Sequence, residues 1–434
     1  MEKLLSSAFA RLVRNGALRV TYASGRVAAY GEASQEPVAI RFADAGAERA
    51  VALDPALKLG EMFMDGRLMI EQGSVFDLVS LLKRNGLRRL AAPHVAALAA
   101  FRTARERIAG AVTPEAARRN VAHHYDLEAG LFELFLDPDR QYSCAYFEDP
   151  EQSLEAAQLA KKRHIAAKLL LEPGAHVLDI GCGWGGLALY LAEVAGAKVT
   201  GITLSEEQLA IANRRAAEQG LSERVTFRLE DYRRVSGPFD RIVSVGMFEH
   251  VGRKRYPAFF RQAASLLERR HGVILLHAIG RPRPIGAHQP FVEKYIFPGG
   301  YAPALSEVLP AAEQAGLLVK DLEILPMHYA WTLKAWRERF VANWDKAAAL
   351  YDERFCRMWE FYLAAFEAAF RHDRLFIFQL QLARHQDAVP FRRDYIGEAE
   401  AALRRQEQAL AVREEADHAP VVRASMTNSK PAHR

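Results

Sequence analysis

The chain has 434 residues, of which 50% are hydrophobic and 26% charged, and it carries a formal net charge of +5 at pH 7. This is a globular composition, and the length exceeds that of one ordinary domain. The three cysteines form no Cys-x-x-Cys pair, which excludes a disulfide framework and indicates a reducing compartment. No apolar run reaches the ~18 residues that a membrane span requires.

The first 110 residues are predicted to form a small α+β domain. Periodicity predicts an amphipathic helix over residues 1–13, which either packs on its own domain or lies on a membrane surface. Basic residues cluster between 83 and 107, which indicates a solvated helix face or attraction to an anionic surface. Strand-like runs occur at residues 18–22, 27–30, 38–42 and 49–53, and helical periodicity at 57–64 and 75–83.

In the remainder of the chain, strands alternate with helices. The apolar runs are at residues 177–180, 198–202, 225–228, 241–245 and 272–277. Their alternation with helical stretches predicts an α/β domain over residues 111–410, with a mostly parallel, doubly wound sheet. Residues 345–386 are predicted to be helical, and their aromatic side chains suit either core packing or an apolar acyl tunnel. Residues 411–434 are polar and aperiodic, which predicts a disordered tail.

The most informative segment joins the first strand of the predicted sheet to the next helix. It reads Val-Leu-Asp-Ile-Gly-Cys-Gly-Trp-Gly-Gly over residues 177–186. Glycines permit a sharp turn and the close approach of a ligand, which a Cβ would block. A strand, a glycine turn and a helix N-terminus form the first unit of a nucleotide-binding sheet. The third glycine of the dinucleotide fingerprint is absent, and the segment resembles the first motif of S-adenosylmethionine-dependent methyltransferases.

Polar residues follow the later strands, where a sheet of this kind binds its ligand. They are Thr203, Leu204 and Gln208 after the second strand, Asp231 and Tyr232 after the third, and the segments 244–250 and 276–280 after the fourth and fifth. Thr203 and Gln208 have the groups to bind a ribose or the amino-acid part of a cofactor, and Asp231 the adenine amine. Helix capping or packing explains any one of these groups. Together with the glycine turn after the first strand they make five in register, which favours a binding site.

An ordered set of motifs resembles the cyclopropane fatty acid and mycolic acid cyclopropane synthases over about residues 110–400. The motifs include His-His-Tyr-Asp at 123–126, Tyr-Ser-Cys-Ala-Tyr-Phe-Glu at 142–148, Gly-Met-Phe-Glu-His-Val-Gly at 246–252, Lys-Tyr-Ile-Phe-Pro-Gly-Gly at 294–300 and Tyr-Asp-Glu-Arg-Phe at 351–355. The resemblance implies a Rossmann-like class I methyltransferase fold and S-adenosylmethionine as cofactor. The additional N-terminal domain looks like that of the longer, phospholipid-acting bacterial branch and implies recruitment to lipid.

The resemblance also implies a catalytic cluster around a bound bicarbonate, which serves as the base in this family. Carried over residue by residue, the cluster consists of Cys144, Glu249, His277, the backbone of Ile279, and Tyr329, with Tyr125 presenting an aromatic face to the cation. Histidine and tyrosine donate hydrogen bonds to an anion, and glutamate accepts a proton. Taken alone, a cysteine at position 144 is typical of a small buried hydrophobe.

The predicted cofactor site combines the resemblance with the residues that follow the strands. Its residues are Tyr142, Ser143, Val177, Asp179, Gly181, Gly183, Gly185, Thr203, Leu204, Gln208, Asp231 and Tyr232. Tyr142 and Ser143 are expected at the amino-acid end of the cofactor. His123 and His124 lack the i, i+4 partners of a zinc site, and no metal is predicted.

The predicted reaction converts a cis double bond of a phospholipid acyl chain into a cyclopropane. Methyl transfer gives a carbocation, and loss of a proton from the new methyl group closes the ring. A methylene- or methyl-branched product is the close alternative, and a non-catalytic lipid-binding scaffold is the alternative from another class. The family implies a homodimer, and the cysteines together with the lipid substrate predict a cytoplasmic enzyme at the inner membrane surface. No nucleic-acid partner is expected, because the sequence has no matching catalytic motif and no strong basic patch outside the N-terminal domain. Phe366 occupies the position at which many relatives have a cysteine proposed to be catalytic.

Overall fold

The computed structural model describes residues 1–86, 93–108, 129–284 and 289–417. The N-terminal part contains a four-stranded sheet in the order β2-β1-β3-β4, in which β1 is antiparallel to β2 and parallel to β3. Its elements are α1 (Glu2–Leu12), β1 (Ala17–Thr21), β2 (Val27–Gly31), β3 (Val38–Phe42), α2 (Ala45–Leu53), α3 (Pro55–Met64), β4 (Leu68–Gln72), α4 (Val75–Arg84) and α5 (Pro93–Ile108). Leu5, Phe9 and Leu12 of α1 are buried. The apolar face of α1 therefore packs on its own domain, as one of the two interpretations predicts.

The prediction of a strand at residues 49–53 is wrong, because these residues end helix α2. Asp44 caps the helix by accepting a hydrogen bond from the backbone N–H of Ala47 at 3.0 Å. Ala47 and Val51 are buried at i, i+4 spacing. The cap and the helical spacing outweigh the short apolar run. The fourth strand is instead β4, which the sequence pattern does not indicate.

A seven-stranded sheet in the order β10-β11-β9-β8-β5-β6-β7 forms the centre of the larger part. Its strands are β5 (His176–Ile180), β6 (Lys198–Thr203), β7 (Val225–Leu229), β8 (Arg241–Val245), β9 (Val273–Gly280), β10 (Leu318–Leu325) and β11 (Phe376–Ala383). β5 to β9 pair in parallel, and β11 is antiparallel to both of its neighbours. The predicted Rossmann-like α/β fold is confirmed.

Helices cover both faces of this sheet. They are α6 (Ala129–Glu133), α7 (Leu154–Lys168), α8 (Gly186–Glu193), α9 (Glu206–Glu218), α10 (Tyr256–Leu266), α11 (Pro290–Tyr295), α12 (Leu305–Gln314), α13 (His328–Ala342), α14 (Trp344–Leu350), α15 (Glu353–His372) and α16 (Tyr395–Asp417). Helix α16 continues through residues 411–417, where a disordered tail was predicted. Within the described ranges, no helix has the length and apolarity needed to cross a bilayer.

The predicted helical stretch 345–386 contains two helices and a strand. α14 and α15 are helical as predicted, but α15 ends at His372 with Asp373 as its C-cap, and Arg374 takes a left-handed φ of 60°. The chain then enters β11, whose residues are almost entirely buried between β9 and β10. The aromatic residues Phe376 and Phe378 therefore belong to the sheet and not to the helix.

The N-terminal domain packs against α11 and α15 of the larger part. Phe291 and Phe361 are buried in the same core as the helices of the small sheet, with ring centroids 4.8 Å apart. Gly60 of α3 allows this approach, since a Cβ there would lie 2.5 Å from the Phe291 ring. An ion pair of 2.5 Å joins Lys83 to Asp373. Apolar burial and charge thus fix the two parts together.

Candidate functional site

The turn after β5 is built from glycines in left-handed backbone conformation. Gly181, Gly183 and Gly185 have φ values of 87°, 55° and 86°, which other residues adopt only with strain. A Cβ on Gly181 would lie 2.8 Å from the Cβ of Met247, and one on Gly185 would lie 2.6 Å from the ring of Phe227. The glycines therefore let the backbone of the turn approach Met247 and Phe227 closely. They also add no side chains to the space beyond β5.

A pocket opens beyond the carboxyl ends of the parallel strands. Ten of the residues predicted to bind the cofactor line it: Tyr142, Ser143, Asp179, Gly181, Gly183, Thr203, Leu204, Gln208, Asp231 and Tyr232. The geometry of a parallel sheet thus brings residues that are far apart in sequence to one pocket. The part that each plays in binding stays a prediction.

Two residues predicted to bind the cofactor lie away from the pocket lining. Val177 is fully buried in the core beneath the sheet. It precedes Asp179 by two positions, about 7 Å along a strand, and so does not reach the strand end. Gly185 is the N-cap of α8, and the side on which it would carry a Cβ faces Phe227 and Ala212. Both residues support the turn.

The carboxylates of the pocket differ in environment. Asp179 is 2% exposed, and its Oδ2 atom has no hydrogen-bond partner among the described residues. Burial raises the pKa of Asp179 to about 7. Burial alone would also raise the pKa of Asp231, but hydrogen bonds from Arg233 lower it overall. Asp231 is therefore ionised, whereas Asp179, whose pKa the positive charge of Lys161 acts to lower, exchanges a proton near neutral pH.

The lining also includes Trp184 and His250, which belong to predicted segments but were not assigned to the site individually, and Lys161, which was not predicted at all. Burial lowers the pKa of His250 to about 4, so the imidazole is neutral. Lys161 lies in α7 and is fully buried. A buried lysine interrupts the apolar pattern of a helix in the same way as an exposed one, so the sequence carries no signal for it.

Two buried polar residues, Glu249 after β8 and His277 in β9, lie next to the pocket and are together called the polar cluster. Glu249 lies in a 3-10 turn after β8, and its Oε1 atom accepts a hydrogen bond from the backbone N–H of Ile279 at 2.8 Å. The other carboxylate oxygen, Oε2, and the Nε2 atom of His277 are buried without partners among the described residues. The Nδ1 atom of His277 lies 3.3 Å from Nε2 of Gln379. Three of the predicted catalytic residues are thus neighbours.

Burial controls the charge of this cluster. It raises the pKa of Glu249 to about 7, against which the hydrogen bond from Ile279 acts in the opposite direction. It lowers the pKa of His277 well below its usual value, and the positive charge of Lys161 adds to this. His277 is therefore a neutral imidazole, and Glu249 exchanges a proton near neutral pH.

Cys144 and Tyr329 lie in one aromatic core, against which Ile279 also packs. Helix α13 is held to the strand-like segment after Cys144, because Thr332 accepts a hydrogen bond from the backbone N–H of Ala145 at 3.1 Å. Burial raises the pKa of the Cys144 thiol, which is therefore uncharged. A neutral thiol supports the prediction of a lining residue rather than a nucleophile.

The five described residues of the predicted catalytic cluster do not line the cofactor pocket themselves. Their chain neighbours do, since Ser143 precedes Cys144 and His250 follows Glu249. The cluster therefore borders the pocket. Tyr125, the sixth predicted catalytic residue, and the adjacent His123 and His124 lie outside the described residues. In the parts of the chain that the structure describes, no group of three or more His, Cys, Asp or Glu could hold a metal ion.

Phe366 packs against the aromatic core that contains Cys144 and Tyr329. Its ring lies 5.2 Å from that of Tyr362, whose hydroxyl lies 2.9 Å from the hydroxyl of Tyr142 in the pocket lining. The side chain at position 366 is therefore part of the wall around the predicted site. It contributes an aromatic ring there in place of a thiol.

A mostly parallel seven-stranded sheet with a glycine turn and a pocket at its carboxyl edge defines an S-adenosylmethionine-dependent methyltransferase. The orphan carboxylate of Asp179 and the glycines that leave room beside Met247 fit such a cofactor. Residues 113–380 match the family described as mycolic acid cyclopropane synthetase, and the chain belongs to this family. Residues 2–90 match a domain family of unknown function.

Known relatives extend the match along most of the chain. The cyclopropane-fatty-acyl-phospholipid synthase of Escherichia coli is 40% identical over 80% of this chain and 88% of its own length. The tuberculostearic acid methyltransferase UfaA1 of Mycobacterium tuberculosis is 42% identical over 62% of this chain and 65% of its own. The solved structure of mycolic acid cyclopropane synthase CmaA1, complexed with SAH and CTAB, is 36% identical with a TM-score of 0.58, over 61% of this chain and 97% of that one. The chain is thus an enzyme that modifies fatty acyl chains, and the lipid-binding scaffold is no longer needed as an alternative.

Proposed function

We propose that the enzyme converts a cis double bond in an acyl chain of a membrane phospholipid into a cyclopropane ring, with bicarbonate bound at the Glu249–His277 cluster. The observation that carries the proposal is the pair of buried orphan atoms, Glu249 Oε2 and His277 Nε2, at the border of the cofactor pocket. Two unpartnered polar atoms in an apolar surrounding favour a bound polar group. Bound S-adenosylmethionine supplies an electrophilic methyl group, and bicarbonate supplies a base.

The polarity of the cluster suits an anion that carries a proton. If Gln379 donates its amide hydrogen to Nδ1 of His277, the neutral imidazole bears its own proton on Nε2 and donates it to the anion. Glu249 accepts a proton through Oε2 while Ile279 holds Oε1 in place. In this arrangement Gln379 is a positioning residue, and Glu249 and His277 are the catalytic residues.

The aromatic core supplies the surroundings that a carbocation on the acyl chain needs. The ring of Tyr329 lies 4.9 Å from that of Phe370 and 5.8 Å from that of Trp336, and Trp336 is fully buried. Aromatic faces stabilise a cation, and the buried rings exclude the water that would capture it. The same rings offer an apolar lining for the chain itself.

We propose further that the N-terminal domain brings the enzyme to the membrane surface. With the apolar face of α1 packed internally, the exposed apolar side chains of Leu53 and Phe101 are better candidates for membrane contact, at 45% and 65% exposed. Their chain neighbours Asp54 and Arg102 form an ion pair of 2.6 Å, which joins the end of α2 to α5. Deleting the domain would uncover Phe291, so Phe101→Ser is the sharper test. It should weaken binding to anionic vesicles while leaving affinity for S-adenosylhomocysteine unchanged. Equal vesicle binding would count against this surface.

A branched product is the second candidate, since a relative that is 42% identical is named a methyltransferase of tuberculostearic acid. The two products differ in which proton leaves the cation. The experiment incubates the enzyme with unsaturated phospholipid vesicles and methyl-labelled S-adenosylmethionine, then examines the released fatty acids by NMR, because a ring and a methylene branch have the same mass. Ring protons support the proposal, and vinylic or methyl-doublet signals support the branched alternative.

The role of bicarbonate is tested in the same assay. Removing dissolved carbon dioxide should slow turnover, and adding bicarbonate back should restore it. Glu249→Gln should abolish turnover with or without bicarbonate, while its binding of S-adenosylhomocysteine is retained. A turnover rate that is indifferent to bicarbonate would contradict the assignment of the base. The homodimer and the place of the enzyme at the inner membrane surface stay predictions.

A further inference from the structure

Lys161 is a fully buried lysine that forms no ion pair with the described residues, although the charges of Asp137 and Asp139 act to raise its pKa. Its Nζ atom donates hydrogen bonds to Oε1 of Gln141 at 2.6 Å and to Oγ of Ser143 at 2.9 Å. Both acceptors are neutral, and among the described residues no Asp or Glu oxygen lies within the 4.0 Å of an ion pair. On the same helix, the equally buried Lys168 pairs with Glu323 and lies 3.4 Å from Asp321. Lys161 therefore differs from an ordinary buried lysine.

Holding the neighbouring segment in place does not account for this charge. Gln158, one turn earlier on α7, already donates hydrogen bonds to the backbone carbonyls of Gln141 and Ser143 at 3.1 and 3.0 Å. A neutral side chain at position 161 could bridge the same two acceptors without the free-energy cost of a buried, unpaired charge. The charge is better explained by an anion that binds beside it.

Lys161 lines the cofactor pocket together with Ser143 and Asp179. An ammonium group has three protons, and that of Lys161 donates two hydrogen bonds to residues in the described parts of the chain. Asp179 in turn lacks a hydrogen-bond donor, since its buried Oδ2 atom accepts no hydrogen bond from the described residues. A cation and an anion, each incomplete, thus face one cavity. An α-amino acid carries the two opposite charges that would complete both.

We propose that Lys161 binds the carboxylate of the methionine part of S-adenosylmethionine, and that Asp179 receives its ammonium group. The charged and titratable groups around Lys161 come from several elements: Asp137, Asp139, Lys162, Cys144, Asp179 and His277. The inference concerns cofactor recognition alone, so its outcome is independent of the lipid substrate and of bicarbonate.

The test compares S-adenosylhomocysteine with its decarboxylated analogue, S-adenosyl-3-thiopropylamine, by titration calorimetry. The wild type should bind S-adenosylhomocysteine about tenfold to hundredfold more tightly, as expected for a charge-assisted hydrogen bond. Lys161→Met should reduce this ratio to within about threefold of one by weakening only the binding of the carboxylate ligand. Lys168→Met removes an equally buried charge from the same helix and should keep the ratio. A ratio near one in the wild type, or an unchanged ratio in Lys161→Met, would overturn the proposal.

A second measurement needs no variant. Burial lowers the pKa of Lys161 to about 8, so binding a carboxylate at pH 8 should draw in about half a proton more than binding the analogue. The ammonium group is common to both ligands, so its effect and that of Asp179 cancel. Calorimetry in two buffers of different ionisation enthalpy measures the uptake. Equal uptake for the two ligands, or a wild type that binds neither, would refute the assignment. Loss of bicarbonate stimulation in Lys161→Met with an unchanged ligand ratio would assign Lys161 to the catalytic anion instead.

Discussion

Replacing Glu249 with glutamine should remove a pH-dependent loss of stability as well as turnover. Burial raises the pKa of Glu249 from 4.5 to about 7. Because the folded state holds the proton more tightly than the unfolded chain does, the wild type loses stability as pH rises through this interval. The full loss is about 3 kcal/mol above pH 7, and there is none below pH 4.5. Glutamine keeps an acceptor for the N–H of Ile279 and cannot ionise, so the variant lacks this loss.

Urea unfolding of both proteins at pH 5 and pH 8 measures the effect. The free energy of unfolding of Glu249→Gln relative to wild type should increase by about 2–3 kcal/mol between the two pH values. The raised pKa of Asp179 affects both proteins equally and cancels. Parallel pH dependence of wild type and Glu249→Gln would refute the reasoning.

Three further substitutions test other parts of the site. Gln379→Met should lower turnover about tenfold, because His277 loses the group that fixes its tautomer. The nitrogen chemical shifts of His277 in NMR should then show a mixture of tautomers. An unchanged spectrum would contradict the positioning role. Gly181→Ala should lower the free energy of unfolding by about 1–2 kcal/mol because of the left-handed backbone at this position, as thermal unfolding would show. The clash with Met247 should also weaken cofactor binding in calorimetry. Full affinity would argue against a close approach of the cofactor to the turn. Phe366→Cys should lower the free energy of unfolding by about 1–3 kcal/mol without raising turnover, and a faster enzyme would indicate that the thiol of other relatives is catalytic.

The cofactor pocket could be predicted because its geometry follows from backbone rules. Parallel strands end at one edge, so the glycine turn and Thr203, Asp231 and their neighbours had to meet there. The rule applies to strand ends, and it fails for Val177, which lies too far back along β5. The catalytic cluster came from the resemblance to a family. The structure joins Glu249 to Ile279 by a hydrogen bond, two residues along β9 from His277, and the catalytic roles stay a prediction.

What the sequence did not indicate was decided by tertiary contacts. Lys161 has the character of a solvated lysine in the sequence, and only the fold reveals that it is buried beside a cavity. β11 continues the aromatic pattern of α15, and only residues 373–375 separate them, of which Arg374 is left-handed. The strand interpretation of residues 49–53 failed for the converse reason, since the cap at Asp44 lies before the run that was considered. Local signals outside a motif are therefore the ones most easily misread.

Helix α15 belongs to two hydrophobic cores at once. Phe361 and Ala368 lie in the core of the N-terminal domain, whereas Trp359 and Tyr362 lie in the aromatic core beside the catalytic cluster. Neither core can be disrupted without losing one face of the same helix. We therefore expect the two sheets to unfold in a single cooperative transition, with comparable hydrogen-exchange protection in both. We therefore expect a chain with two domains in its architecture to behave as one unit in unfolding.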